Sequence, residues 1–312
     1  MSQGNSQQEL RRPGVLGVHS LDHFVINVPD LAVARQYFDL FGLEVKDEAG
    51  GLGLYCHGDS HRWGVIRQGT PKKLAGLCFG CYADDLPRFK TLLGDKGIAF
   101  EGDDQSIRFA DPLGLPLEIR ILPRSNNDQL APMALDGGSA EKRAAPLRSE
   151  CERARPVRLS HLAMFTGPLD ASIDFYRDVV GLRLSDRSLD IVAFMHAPHG
   201  SDHHTIALLG GVGPGLHHTS WEMTSINEVG VGANHMAMNG YDYSWGLGRH
   251  VLGSNYFHYV RDPWGSWTEY SVGMDYIPVD MEWQAADIGP EDSFYLWGPD
   301  VPAGFTDNLE QA

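Results

Sequence analysis

Three side chains in the second half of the chain could together bind a metal ion: His161, His218 and Glu269. They are far apart in sequence, and each lies in a segment typical of a β-strand. Two imidazoles and a carboxylate on one face of a divalent metal, with the other positions open, form the ligand set of non-haem Fe(II) oxygenases. Strands of one sheet can bring such residues together, because each strand presents alternate side chains to one face.

A second group of side chains lies among these ligands and could transfer protons. It consists of His204, His250 and Tyr259. Histidine suits this task because its ordinary pKa is close to the working pH of most enzymes. Any one of these residues could equally be structural, since single histidines and strand tyrosines often are. The functional interpretation therefore depends on the complete set.

Both halves of the chain begin in the same way, which indicates how the metal ligands are positioned. A strand-like run with a histidine, His23 or His161, leads into an amphipathic helix. Each helix is predicted to end at a glycine, Gly42 or Gly181, a natural C-terminal stop. A repeated sequence unit indicates a repeated structural unit, so we expect two domains of similar topology.

Both halves also end in the same way. Residues 111–118 read DPLGLPLE and residues 262–269 read DPWGSWTE. The Asp-Pro-x-Gly part predicts a turn, and the apolar and aromatic residues after it predict a strand. Each of these strands carries a glutamate seven residues after the aspartate, Glu118 or Glu269.

The repeat also indicates that only one half has a metal centre. By this correspondence His23 matches His161, whereas the position of His218 falls near Leu77. Leucine has no atom that can bind a metal. The first half is therefore predicted to be a duplicated domain that has lost its centre, in which His23 is structural.

The remaining segments set the predicted domain boundaries. Residues 84–97 predict a short helix, whereas the counterpart after Ser225 is rich in glycine, which disfavours a helix. Proline, serine, glycine and charge dominate residues 123–157 and predict a connection between domains. The predicted parts are an N-terminal tail (1–15), a non-catalytic domain (16–122), the connection (123–157), a catalytic domain (158–285) and an aromatic tail packing on it (286–312).

Composition excludes some classes of partner. The 312 residues carry a formal net charge of −16, which argues against nucleic acids and anionic membranes as ligands. The polar N-terminus does not resemble a signal peptide, and no apolar run approaches the roughly 20 residues of a membrane span. The four cysteines are predicted to be reduced, as expected in the cytoplasm.

Four motifs, in this order and spacing, resemble a known family. They are Asp202–Leu208 (DHHTIAL), Leu216–His218 (LHH), Gly248–His250 (GRH) and the stretch from Phe257–Tyr259 (FHY) to Glu269 and Tyr270. Together with the repeat, they resemble type I extradiol ring-cleaving dioxygenases of the vicinal oxygen chelate superfamily over residues 16–285. This resemblance implies an α+β fold with two tandem domains, each of paired βαβββ modules that form a curved sheet.

The resemblance also implies the roles of individual residues. The three ligands named above would hold Fe(II), with Mn(II) as an alternative. His204 matches the acid–base histidine of the family, and Tyr259 would form a hydrogen bond to a substrate oxygen. His250 would lie near the other hydroxyl or support Tyr259. The second histidine of each His-His pair is chosen by resemblance, and His203 and His217 are the alternatives.

The implied reaction is extradiol cleavage of a substituted catechol by O2 to a muconic semialdehyde-type product, in a homo-oligomer (tetramer or octamer). Three other functions are compatible with such a fold. An oxygenase like 4-hydroxyphenylpyruvate dioxygenase shares the ligands, but the DHHTIAL motif and Tyr259 favour a catechol. A glyoxalase-like isomerase would not need His204 and Tyr259 together. A non-enzymatic ligand-binding protein would need no metal ligands.

Overall fold

The computed structural model describes residues 10–134, 137–138 and 140–311. Within them, most strands belong to an eight-stranded sheet from the first half of the chain or a ten-stranded sheet from the second. Helices accompany both sheets, so the predicted α+β class is confirmed. Parts of the predicted tails and connection, namely residues 1–9, 135, 136, 139 and 312, lie outside the described residues.

The N-terminal sheet consists of two βαβββ modules. Its elements are β1 (Ser20–Val28), α1 (Leu31–Phe41), β2 (Glu44–Glu48), β3 (Gly51–Tyr55), β4 (Arg62–Gln68), β5 (Lys73–Cys81), α2 (Leu86–Asp95), β6 (Glu101–Gly102), β7 (Ser106–Ala110) and β8 (Pro116–Ile121). The strand order is β2-β3-β4-β1-β5-β8-β7-β6. The antiparallel pair β1 and β5 joins the two modules at the centre.

The C-terminal sheet repeats this plan. Its elements are β9 (Arg158–Phe165), α3 (Leu169–Phe175), β10 (Arg183–Ser188), β11 (Val192–His196), β12 (Ser201–Asp202), β13 (Ile206–Leu209), β14 (Gly215–Glu222), α4 (Ile226–Met238), β15 (Ser244–His250), β16 (Tyr256–Arg261), β17 (Trp267–Val272), β18 (Tyr276–Ile277), β19 (Ala286–Asp287), α5 (Pro290–Ser293) and β20 (Tyr295–Trp297). The order is β19-β10-β11-β13-β9-β14-β17-β16-β15-β20, and β12 pairs with β18.

The predicted helix ends agree with the structure. Asp30 caps α1 by accepting hydrogen bonds from two backbone N–H groups, and Gly42 ends the helix at a φ of 111°. In the second half, α3 continues as a π-helical turn (Tyr176–Val180) that ends at Gly181, where φ is 84°. A side chain at either glycine would strain the backbone, so both glycines fix where the chain leaves the helix.

The expectation for the glycine-rich segment after Ser225 is wrong, because residues Ile226–Met238 form the regular helix α4. Ser225 caps it by accepting a hydrogen bond from Glu228 N. Gly232 lies on its buried face, where a Cβ would come within 2.8 Å of the Tyr270 ring. This glycine permits close packing of the helix on the sheet, and packing outweighs the intrinsic preference.

The two sheets share one hydrophobic core. The rings of Phe41 and Tyr270 stack with centroids 3.9 Å apart, and Tyr270 Oη donates a hydrogen bond to Phe41 O. Tyr37 Oη likewise donates to Val260 O across the interface. The N-terminal half therefore supports strands β16 and β17 of the other half.

Within the described residues, the connection between the sheets has one regular element, a 3₁₀ turn at Arg148–Glu150. The C-terminal tail adds β19 and β20 to the second sheet, and Phe305 is buried in an aromatic cluster there. None of the described helices is long and apolar enough to cross a membrane.

Candidate metal centre

The register of three adjacent strands brings His161, His218 and Glu269 together. Strand β14 lies between β9 and β17, and its Ser220 is paired with His161 on one side and with Glu269 on the other. His218 is two residues before Ser220, so its side chain points to the same face of the sheet. Three distant sequence positions therefore form one cluster.

The spacing of this cluster fits a divalent metal. His161 Nε2 is 3.1 Å from His218 Nε2, and Glu269 Oε2 is 3.3 Å and 3.6 Å from these two nitrogens. Ligand atoms about 2.1 Å from one ion, at near right angles, are about 3 Å apart. All three residues are buried, and Glu269 is 0% exposed. Imidazole and carboxylate donors in this number suit Fe(II) or Mn(II).

Glu269 Oε2 is the atom that most clearly requires a cation. No well-formed hydrogen bond reaches it within the described part of the chain. Burial tends to raise the pKa of Glu269, but His161, whose Nε2 is 3.3 Å from Oε2, and His250 lower it by more, so the pKa lies below its usual value. A buried carboxylate of this kind is costly without a positive partner.

His217 orients His218 from behind. His217 Nε2 is 2.8 Å from Phe305 O, and the two Nδ1 atoms of the pair are 2.6 Å apart. A carbonyl only accepts, so with one proton on each ring His217 Nε2 donates and its Nδ1 accepts from His218 Nδ1. His218 Nε2 then presents a lone pair to the cluster. Of the two alternatives, His218 faces the cluster.

His204 lies next to the cluster, with its ring centroid 4.1 Å from that of His161. It is 2% exposed and borders the same cavity as His161 and His218. Burial, followed by the neighbouring histidine rings, holds the pKa of His204 well below its usual value. The ring is therefore neutral, and one of its two nitrogens bears a lone pair.

His250 and Tyr259 form a hydrogen-bonded pair beside His218, whose ring centroid is 5.1 Å from that of Tyr259. His250 Nδ1 is 2.8 Å from Phe294 O and donates to it, which leaves Nε2 to accept from Tyr259 Oη at 2.9 Å. Burial, together with the negative charge of Glu269, raises the pKa of Tyr259 well above its usual value. The tyrosine is therefore a neutral hydroxyl that is hydrogen-bonded to His250.

Asn255 was not among the predicted site residues. Its Nδ2 donates to Glu269 Oε1 at 3.2 Å and to Ser271 Oγ at 2.9 Å, so it orients the carboxylate. Its sequence context contains no signal of this role. His203 and His217 could have been noticed, because each precedes a predicted site histidine directly.

His161 and His218 of the cluster line a cavity of about 200 Å³. Besides the histidines, Asn255 and Tyr259, its walls are mainly apolar and include Ala163, Ile191, Val192, Phe194, Ala207, Leu209, Leu252, Phe294 and Phe305. No lysine, arginine, aspartate or glutamate is among its described lining residues.

The equivalent place in the first sheet differs. Cys78 pairs with His23 and with Glu118, so it occupies the position of Ser220. The position of His218 is then Gly76 rather than Leu77, because Gly76 pairs with Val25 of β1 as His218 pairs with Ala163 of β9. Glycine also offers no ligand, so the first sheet does not contain the set of the second.

Three other groups in that sheet lie near one another. Asp22, His23 and Cys78 each place a potential ligand atom within 4.8 Å of the others. His23 Nδ1 is already bonded to Asp22 Oδ2 at 2.6 Å. Burial raises the pKa of the Cys78 thiol far above its usual value, so the sulfur remains protonated. These contacts suit a structural role of His23.

Known proteins match the chain across both sheets. The sequence profile of the Glyoxalase/Bleomycin resistance protein/Dioxygenase superfamily matches residues 158–270. Metapyrocatechase 2 of Cupriavidus necator is 46% identical over 298 residues, which cover 94% of this chain and 93% of that protein. The iron-dependent extradiol dioxygenase of Rhodococcus jostii (strain RHA1) is 26% identical over 93% of this chain and 99% of its own. The crystal structure of homoprotocatechuate 2,3-dioxygenase from Arthrobacter globiformis superposes with a TM-score of 0.74 at 23% identity, covering 96% of this chain and 95% of that one.

Proposed function

We infer the function from one premise: this chain belongs to the extradiol dioxygenases of the Glyoxalase/Bleomycin resistance protein/Dioxygenase superfamily. The protein cleaves the ring of a catechol beside its two hydroxyl groups and uses O2 to do so. The observation that supports this most directly is the cluster of two histidines and one glutamate, whose histidines line an apolar cavity together with His204.

His161, His218 and Glu269 are the proposed metal ligands. The metal is Fe(II), and Mn(II) accepts the same donors. When bound, it supplies the Lewis acidity that makes a catechol hydroxyl acidic and the redox capacity that O2 chemistry requires. Asn255 holds the carboxylate in place through its hydrogen bond to Oε1.

The proton transfers are assigned to side chains around the cavity. His204 borders the cavity as a neutral ring, so it takes the hydroxyl proton of the substrate and later returns it. Tyr259 is held by His250 and presents its oxygen to the substrate. The aromatic wall, including Phe294 and Phe305, excludes water from the reacting atoms.

The charge of the cavity limits the substituents that the catechol carries. A carboxylate on the ring would be buried without a counter-charge, because the described lining contains no lysine or arginine. We therefore propose an uncharged, alkyl- or aryl-substituted catechol.

Burying an unpaired charge costs about 3 kcal/mol or more, so kcat/KM should be at least about 100-fold lower for a carboxylated catechol. Equal values for 3-methylcatechol and 3,4-dihydroxyphenylacetate would contradict this limit.

Oxygen consumption tests the function itself. The Fe(II)-loaded protein should consume O2 when a neutral catechol is added, and a yellow ring-opened product should appear in equal amount. Absence of both with an iron-replete protein would refute extradiol cleavage. Oxygen consumption with 4-hydroxyphenylpyruvate but not with catechols would indicate the related oxygenase chemistry instead.

We propose that the protein forms a homo-oligomer in the cytoplasm. The tail strand β20 lies at the edge of its sheet and exposes Leu296 and Trp297, which favours a homo-oligomer. Light scattering after gel filtration would distinguish a tetramer or octamer from a monomer. All four cysteines are unpaired, which is in keeping with a cytoplasmic enzyme.

A further inference from the structure

Two buried residues, His203 and Asp186, are linked to His204 by successive hydrogen bonds. His203 Nδ1 is 3.0 Å from His204 Nδ1, and His203 Nε2 is 2.8 Å from Asp186 Oδ2. The exposed fractions of Asp186, His203 and His204 are 6%, 1% and 2%. The three side chains therefore form a hydrogen-bonded chain that runs from strand β10 to the cavity.

Asp186 fixes where the proton of His203 lies. Its Oδ1 accepts a hydrogen bond from Ala286 N at 2.7 Å, and its Oδ2 faces His203 Nε2. The ring nitrogen donates and the carboxylate oxygen accepts, so the hydrogen between Asp186 and His203 is placed on Nε2.

The position of this hydrogen determines the tautomer of His204. With one proton on each ring, His203 carries its proton on Nε2 and offers a lone pair at Nδ1, to which His204 Nδ1 donates. His204 Nε2 is then left with a lone pair. Among the described residues this nitrogen has no hydrogen-bond partner, and its ring borders the cavity.

We propose that Asp186 and His203 are positioning residues that keep His204 in the tautomer with a bare Nε2 facing the substrate. This inference rests on the proposed acid–base function of His204. A ring with hydrogen on Nε2 could not take the hydroxyl proton, so the chain determines whether His204 starts the reaction as a base.

The other histidine pair is built in the same way. His217 Nε2 donates a hydrogen bond to Phe305 O, as His203 Nε2 does to Asp186. In each pair, Nδ1 of the first histidine accepts a hydrogen bond from Nδ1 of the second. In both pairs the inner ring presents its Nε2 to the site. The repeated arrangement argues that His203 is more than a packed core residue.

The decisive variant is Asp186→Asn. The N–H of Ala286 holds the amide oxygen, so the amide nitrogen would turn towards His203 and donate to Nε2. The hydrogen of His203 would move to Nδ1 and force that of His204 onto Nε2. We expect kcat to fall about 100-fold or more, with KM and iron content unchanged.

Asp186→Ala is the matched control. It leaves His203 free to adopt either tautomer, so kcat should fall less than in Asp186→Asn. A role in packing alone predicts the opposite order, because asparagine preserves the volume of aspartate and alanine does not. Unchanged kcat in Asp186→Asn, or a larger loss in Asp186→Ala, would overturn the proposal.

Nitrogen NMR gives a result that does not depend on turnover. In the full chain labelled with 15N-histidine and loaded with diamagnetic Zn(II), His203 should carry hydrogen on Nε2 and His204 on Nδ1. Hydrogen on His204 Nε2, or on both nitrogens of His203, would refute the proposed chain even if no variant folds. A wild-type protein that shows the expected tautomers but cleaves no catechol would instead refute the proposed function.

Discussion

Replacing Glu269 by glutamine tests the candidate centre most directly. Glutamine retains the shape and one oxygen donor of glutamate, so the variant removes essentially the charge. Glu269 is the only formally negative member of the proposed ligand set and is 0% exposed. The loss of affinity for Fe(II) should therefore report the electrostatic contribution of one buried carboxylate.

The size of this effect follows from the geometry. Glu269 Oε2 lies 3.3 Å and 3.6 Å from the two imidazole nitrogens, so an ion held by all three is closer to it than 4 Å. Unit charges 4 Å apart interact by about 4 kcal/mol at an effective dielectric constant of about 20. This corresponds to about a 1000-fold increase in Kd. We expect at least that increase for Glu269→Gln.

The assay is competition for Fe(II) with a chromophoric chelator under anaerobic conditions. Thermal unfolding of the metal-free proteins should accompany it, to show that the variant is folded. Glu118→Gln is the matched control at the equivalent strand position, where the carboxylate is paired with Arg108. Normal iron content in Glu269→Gln would refute its role as a ligand.

Three further outcomes are expected. His204→Phe should retain iron and bind the catechol while kcat falls by about 100- to 10,000-fold, and an unchanged kcat would remove this residue from the mechanism. His23→Ala should leave activity almost intact, whereas loss of all bound metal would place the centre in the N-terminal half. Lys72→Met should lower the free energy of unfolding by about 3–5 kcal/mol, measured by denaturant titration, because it leaves the buried carboxylate of Glu310 without its partner 2.6 Å away. Adding Glu310→Gln should restore part of that loss, and strictly additive losses would show that the pair is not coupled.

Much of the fold could be predicted because local signals and global topology agree. The helices end at Gly42 and Gly181, and the Asp-Pro-x-Gly turns precede β8 and β17 as the sequence indicates. The α+β class and the extradiol family are confirmed. The exception is α4, where the packing of Gly232 against Tyr270 decides the structure. No local pattern shows that contact.

The candidate site was less accessible to sequence reasoning. Ligand types could be recognised, but the match of Gly76 to His218 depends on the pairing of β5 with β1, which the sequence alone does not show. Hydrogen-bond chains such as that of Asp186 and His203 join separate strands, so their partners are visible only after folding. The same holds for Asn255, which has no sequence signature.

The stacked rings of Phe41 and Tyr270 have a consequence for the metal centre. Tyr270 follows Glu269 directly in β17, so the two side chains point to opposite faces of the sheet. Glu269 faces the metal cluster, and Tyr270 faces the N-terminal half. Deleting residues 16–122 would uncover the Tyr270 ring and loosen the strand that carries the carboxylate. The half without the metal ligands would thus be needed for the metal centre of the other half.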